Sequence, residues 1–290
     1  MVQNLGDIKA MLAALGLRPK HRLGQNFLHD ANQMRRIMEA AAIEPGDLVL
    51  EVGPGTGALS VRLLESGARL VAVEIDGDLE PILRRAFEPY PDRARLILGD
   101  ALAGKHAINP AIIEALGGEP FKLIANLPYN IASPLLIDLV VDHPTMSLAV
   151  VLIQREVADR IAALPGGSGG GGKDYGPLTV MIQAMCEVEK IAVLRPGCFW
   201  PQPKVDSMVV RLARRNEPLT DDPHALSCLV QRLFGKRRKQ IGSILGRDTT
   251  LPPGVDPHAR PERLSIEQLV ALSRQPAIDL PRRGSYDVKS

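Results

Sequence analysis

Asn126-Leu127-Pro128-Tyr129 places a side-chain amide, a backbone carbonyl and an aromatic ring within four residues. The amide oxygen and the carbonyl both accept hydrogen bonds, which suits an exocyclic amine. A ring beside them stacks on a planar base. Pro128 fixes its own φ and drives Leu127 toward an extended backbone, so the Leu127 carbonyl has a set direction. The tetrad is a candidate holder for an amino group on a flat heterocycle. The same four residues also make an ordinary loop turn, and the surrounding chain must separate the two readings.

Upstream lies Glu51-Val52-Gly53-Pro54-Gly55-Thr56-Gly57. Its glycines permit a tight turn and close approach of a ligand to the backbone. The dinucleotide fingerprint puts its third glycine one residue later, so the spacing favours a nucleoside over a diphosphate. A plain strand-to-helix turn is the alternative. Glu74 lies 21 residues beyond Gly53 and can accept both ribose hydroxyls, unless it is simply a solvated strand-end acid. Asp100, in Gly99-Asp100-Ala101, can accept an adenine amine. Read singly, Asp100 is better explained as a helix cap.

The elements that must position these residues alternate along the chain. Strand patterns fall at 48–52, 70–74, 94–98, 121–125 and 148–153, and helical patterns at 58–65, 79–87, 110–116 and 133–141. This order predicts an α/β fold with a mostly parallel sheet covered on both faces. Glycine loop, acid, acid and amide tetrad then each come just after successive strands, where open α/β sheets bind ligands. Runs at 188–194 and 205–212 are expected to close the sheet as an antiparallel edge. Beyond 217 the pattern turns helical, at 226–234, 236–245 and 266–274, whereas the N-terminal segment reads as polar. A domain boundary is expected near Arg215, giving domains 1–215 and 216–290. The run 166–172, Gly-Gly-Ser-Gly-Gly-Gly-Gly, predicts a mobile loop, because glycine loses the most freedom on ordering.

Composition excludes several classes. Hydrophobic residues make up 45% and charged residues 23% of 290, as in globular proteins generally. No run of about 20 apolar residues occurs, so no membrane span is expected. Cys186, Cys198 and Cys228 are far apart and lack metal spacing, which predicts free thiols, no metal and a reducing, cytoplasmic compartment. Net charge is only +2, but residues 211–247 hold nine basic and three acidic side chains, or +6. Lys236, Arg237, Arg238 and Lys239 in that segment, with Arg18, Lys20 and Arg22 near the N-terminus, are candidate phosphate contacts. A solvated helix face is the alternative for 236–239.

The order of the glycine loop, Glu74, Asp100 and the Asn126 tetrad resembles that of S-adenosylmethionine-dependent adenine-N6 methyltransferases. More narrowly, the chain resembles the small-subunit ribosomal RNA adenine dimethyltransferases. That likeness rests on Leu23-Gly24-Gln25-Asn26-Phe27-Leu28, Tyr175-Gly176, Phe199-Trp200-Pro201-Gln202-Pro203-Lys204-Val205-Asp206-Ser207 and Phe234-Gly235-Lys236-Arg237-Arg238-Lys239, and spans roughly 18–274. The resemblance implies a Rossmann-like class I methyltransferase sheet with a small C-terminal helical domain, acting as a monomer in small-subunit biogenesis. The implied reaction dimethylates two adjacent adenosines near the 3′ end of the rRNA. By resemblance, Gln25, Asn26, Leu28, Gly53, Gly55, Glu74, Ile75, Asp100, Ala101 and Asn126 hold the cofactor. Asn126, Leu127, Pro128 and Tyr129 form the transfer site, with Phe199 as a second stacking ring. The glycine-rich insert and Trp200 depart from the family pattern. Competing expectations are the same chemistry on large-subunit rRNA or DNA, a non-enzymatic assembly factor on the same fold, and an NAD-dependent oxidoreductase, which the glycine spacing disfavours.

Overall fold

A computed structural model describes residues 3–104, 107–166, 171–246 and 249–275. The chain divides into two compact units. The first comprises the described residues of Met1–Ala158 and Glu189–Ala213, and the second those of Asp159–Val188 and Arg214–Ser290.

In chain order the first unit begins with α1 (Leu5–Ala14), β1 (Phe27–Leu28), α2 (Ala31–Ala41), β2 (Leu48–Val52), α3 (Ala58–Glu65), β3 (Arg69–Glu74) and α4 (Glu80–Phe87). It continues with β4 (Ala94–Leu98), α5 (Pro110–Leu116), β5 (Phe121–Asn126), α6 (Ala132–Asp142) and β6 (Met146–Gln154). The helix α7 (Arg155–Ile161) leads into the second unit, which holds α8 (Gly171–Asp174) and α9 (Pro177–Met185). The chain then returns through β7 (Cys186–Leu194), β8 (Phe199–Trp200) and β9 (Ser207–Arg214). It ends in α10 (Pro223–Phe234), α11 (Ile241–Leu245) and α12 (Ile266–Ser273).

The seven-stranded sheet has the order β4-β3-β2-β5-β6-β9-β7. Strands β2 to β6 pair in parallel, and β9 runs antiparallel to β6. All five residues of β2 are buried, as expected for a parallel strand inside a sheet. From β2 the chain winds outward through β3 and β4, then crosses back to β5 on the other side of β2. This reversal opens a crevice beyond the carboxyl ends of β2 and β5, the place where such sheets bind ligands. The predicted edge strands are neighbours in the sheet, in the order β9-β7.

Two features of the structure go beyond the sequence reading. The N-terminal segment read as polar is helical: Asn4 and Asp7 form a capping box, and Ile8 and Leu12 are buried one turn apart. Four-residue spacing gives a narrow apolar stripe, enough to seat α1. The single cut near Arg215 also differs from the observed units, because the second unit takes residues 159–188 as well. Val180, Met181, Ile182, Ala184 and Met185 of α9 are buried, and α9 packs on α10 and α12. An apolar helix joins whichever core covers it.

Within the second unit, Tyr175 is fully buried. Its hydroxyl donates to the Leu264 carbonyl at 2.9 Å, and its ring lies 6.0 Å from Phe234. The expected helix 236–245 is only partly formed. Chain 235–239 makes a turn, and α11 starts at Ile241. A continuous helix would stack Lys236 beside Lys239, and like charges at that spacing repel. Residues 167–170 of the glycine-rich run and Arg247 lie outside the described residues.

Candidate functional site

A cleft of about 1140 Å³, part of it open to solvent, lies at the carboxyl end of the sheet in the first unit. It is lined by the glycine loop, the ends of β3 and β5, the residues after β4, and segment 23–28. Gln25, Asn26, Leu28, Gly53, Gly55, Glu74, Ile75, Asp100, Ala101, Asn126, Leu127, Pro128 and Tyr129 all border it. Residues far apart in sequence, from Gln25 to Tyr129, are thus brought to one wall.

Two glycines are required by conformation, and the second of them by space as well. Gly53 has φ +74°, and a Cβ there would meet the Pro128 ring at 3.4 Å. At Gly55, with φ +61°, a Cβ would meet the Phe27 ring at 3.0 Å. Side chains at either position would fill the cleft wall and strain the backbone. The loop is also braced from outside. Gln3 donates to the Thr56 carbonyl at 2.9 Å, and the Thr56 hydroxyl donates to the Gln3 amide oxygen at 2.8 Å.

Acids at the strand ends differ in their surroundings. Glu74 is buried and accepts from the N–H groups of Gly55 (3.1 Å) and Asp76 (2.9 Å). Burial still raises its carboxyl above the usual range, because desolvation outweighs two backbone donors. Glu51, behind the loop, is only 1% exposed. Burial pushes its carboxyl up to about 8, against a 2.6 Å bond from the Ser60 hydroxyl. It is therefore largely protonated at neutral pH. Asp100 is exposed and accepts from the Leu102 N–H at 2.9 Å, closing a local turn rather than capping a helix. Ile75, next to Glu74 in sequence, stands 49% exposed and offers an apolar surface to the cleft.

The tetrad is tightly organised. The Asn126 Nδ2 donates to the Asn26 carbonyl at 3.0 Å. That bond fixes the rotation of the amide and turns its oxygen to the opposite side, as the acceptor. The Leu127 N–H donates to the Leu152 carbonyl at 3.1 Å, which anchors the backbone before Pro128. The Tyr129 hydroxyl shares a 2.8 Å bond with that of Ser207, which is fully buried at the start of β9. Burial raises the Tyr129 phenol above its ordinary range. Sequence reasoning quoted Ser207 and Glu51 only as parts of motifs and missed their hydrogen-bond partners, as it missed Asp76 and Gln3. Each partner lies far away in sequence or has a type with too many ordinary uses.

Phe199 lies apart from the other expected site residues. It is 2% exposed, packs in the core and does not line the cleft. Its strand pairs with β1, Leu28 opposite Phe199 and Phe27 opposite Trp200, so an apolar ring pointing inward is buried. Trp200 stacks on Phe27, with ring centroids 6.4 Å apart, and Lys9 lies over its ring. Gln25 borders the cleft, but its amide is engaged elsewhere: Nε2 donates to Asp76 at 2.7 Å and Oε1 accepts from the Lys20 N–H at 2.8 Å.

The predicted phosphate contacts divide in the same way. Arg18, Arg22, Lys236, Arg238 and Lys239 are exposed. Lys20 is paired with Asp76 and Asp78. Arg237 donates to the Lys173 carbonyl at 2.9 Å and faces Glu262 and the Phe234 ring. These two cations are structural links, not spare charges. Among the described residues no His/Cys/Asp/Glu group is arranged to hold a metal ion, and no helix is long and apolar enough to cross a membrane.

Comparison with known proteins gives a consistent picture. The family model for ribosomal RNA adenine dimethylase matches residues 16–274. The ribosomal RNA small subunit methyltransferase A of Pseudomonas aeruginosa is 40% identical over 270 residues, 91% of this chain and 96% of that protein. Its namesake in Streptomyces griseus is 38% identical over 279 residues, 92% of each chain. Among solved structures, the 23S rRNA methyltransferase ErmE is 29% identical with a TM-score of 0.64, over 86% of this chain and 98% of that one. A dimethyladenosine transferase from Plasmodium falciparum shares the fold at a TM-score of 0.68 and 24% identity, over 85% of this chain and 95% of that one.

Proposed function

Because this chain belongs to the ribosomal RNA adenine dimethylase family, we propose that its cleft transfers methyl groups to the N6 atoms of two adjacent adenosines near the 3′ end of small-subunit rRNA. S-adenosylmethionine, when bound, supplies a methyl group on a sulfonium, already reactive toward an amine. The cleft fits such a cofactor: a glycine cradle with positive φ, a buried acid with lone pairs to spare, and an exposed apolar side chain beside that acid in sequence. Glu74 would take the ribose hydroxyls, Asp100 and the Ala101 backbone the adenine edge, and Ile75 the adenine face. Asn26 and Leu28 would border the methionine end, with Gly53 and Gly55 giving close approach.

The chain's own work is orientation and charge acceptance. The observation that carries the reading is the Asn126 amide, locked by Asn26 with its oxygen as acceptor. That oxygen and the Leu127 carbonyl would take the two protons of an adenine amine. They would draw its lone pair out of conjugation toward the incoming methyl. As the nitrogen gains positive charge the two acceptors bind it more strongly, and this lowers the barrier. Tyr129, held by Ser207, would stack on the extruded base. Exposed Lys236, Arg238, Lys239, Arg18 and Arg22 would contact rRNA phosphates, giving affinity without sequence choice.

The test supplies labelled S-adenosylmethionine with small and large ribosomal subunits lacking adenine methylation, then maps the labelled nucleotides. Dimethyladenosine at adjacent positions in small-subunit rRNA is expected. Label confined to the large subunit would favour the chemistry named for the 23S enzyme that shares this fold.

A further inference from the structure

Two acids stand within three residues at the end of β3, and they serve different structures. Glu74 faces the glycine loop. Asp76 serves segment 20–25: its Oδ1 accepts from Lys20 Nζ, and its Oδ2 accepts from Gln25 Nε2 at 2.7 Å. Gln25 closes the circuit by accepting the Lys20 N–H at 2.8 Å. One carboxylate thus gathers both ends of a short turn, formed by the 3₁₀ segment His21–Leu23 and Gly24 at φ +67°. The Asp76 side chain is 5% exposed. Burial opposes its charge, but the Lys20 and Gln25 bonds hold its carboxyl below the usual range, so it is ionised at neutral pH.

The turn leads directly into the wall of the site. Leu23 to Leu28 line the cleft, and the Asn26 carbonyl is the group that locks the Asn126 amide. A chain of contacts therefore runs from Asp76 through Gln25 and Asn26 to Asn126. We propose that Asp76 is a positioning residue for the methyl-transfer site, fastening segment 20–28 so that Asn26 and Leu28 face the cofactor and Asn126 keeps its orientation. The inference rests on the functional reading above. It assigns Asp76 no contact with cofactor or base.

Asp76→Asn in the full chain tests it. Asparagine keeps the size but loses the charge on Lys20, and its amide must turn one polar face the wrong way for two donors. S-adenosylmethionine affinity by calorimetry should fall about tenfold, the scale of one charge-assisted bond pair. Methyl transfer at saturating cofactor should fall as well, because Asn126 loses its lock. Trypsin should cut faster after Lys20 and Arg22, and S-adenosylhomocysteine should protect wild type more than the variant. Asp76→Asn with Gln25→Glu reverses the donor and acceptor of the central bond and should recover part of each loss. If Asp76→Asn fails to fold, Gln25→Ala, at a half-buried position, must give the same trypsin and affinity changes. A folded variant with unchanged affinity and cleavage overturns the inference. Wild type that does not bind S-adenosylmethionine overturns the functional reading itself, a separate outcome.

Discussion

In the cleft three key polar groups are held by neighbours: Glu74 by two backbone N–H groups, Asn126 by the Asn26 carbonyl, Tyr129 by Ser207. In turn 235–239 of the second unit, Lys236, Arg238 and Lys239 stand exposed, and Arg237 is engaged within the protein. The two regions use charge and polarity for different ends. Groups that stabilise a developing charge work best when they need not reorganise, so they must be fixed before the substrate arrives. Groups that neutralise phosphates act through a screened field and counterion release, for which long side chains in water suffice. Cleft substitutions should thus change rate steeply, and turn substitutions should change the salt dependence of affinity.

The sharpest break between wall and core falls at Phe199. If it is core, Phe199→Ala should cost about 3–5 kcal/mol of stability, the usual loss for a buried aromatic ring. Chemical denaturation measures this. Wild-type stability with lost RNA stacking would return Phe199 to the cleft. Next in size, Asn126→Ala should slow single-turnover methyl transfer by about 10²–10³-fold, as for removal of a preorganised transition-state acceptor. Cofactor affinity should fall much less, and a near-normal rate would remove the tetrad from the chemistry.

Glu74→Ala should weaken S-adenosylmethionine binding by roughly 1–3 kcal/mol, read by calorimetry, with RNA affinity unchanged. The smallest effect belongs to the turn. Replacing Lys236, Arg238 and Lys239 by Gln should flatten the plot of log RNA affinity against log salt by about 0.7 per lost contact. Arg237→Gln should instead lower stability with little change in slope. An identical slope for the triple variant would make this turn a solvated face and move the phosphate contacts toward Arg18 and Arg22.

The parallel sheet was legible because its strands are nearly continuous apolar runs bounded by glycine and polar residues. β2 at Leu48–Val52 and β4 at Ala94–Leu98 match their predicted limits. Much of the cleft was legible too, since ligand residues in such a sheet lie just past strand ends. Long-range pairing is the part that escaped. Lys20 reads as a spare cation until Asp76, 56 residues away, is seen against it. Phe199 reads as a loop aromatic until β8 is paired with β1. The helix predicted over 236–245 failed where four cations stand in a row, because spacing reports amphipathicity but not repulsion within a turn.

The chain leaves the first unit before Asp159, returns for 189–213, and leaves again at Arg214. During synthesis this order has a cost that the finished molecule hides. When α9 emerges, its partners α10 and α12 do not yet exist, and β9, which must pair with β6, is still unmade. Neither unit can close on its own stretch of nascent chain. For that interval β6 offers an unpaired edge and α9 a bare apolar face, the kind of surface that chaperones recognise. A truncation after Ala158 would freeze the molecule in the first of those states.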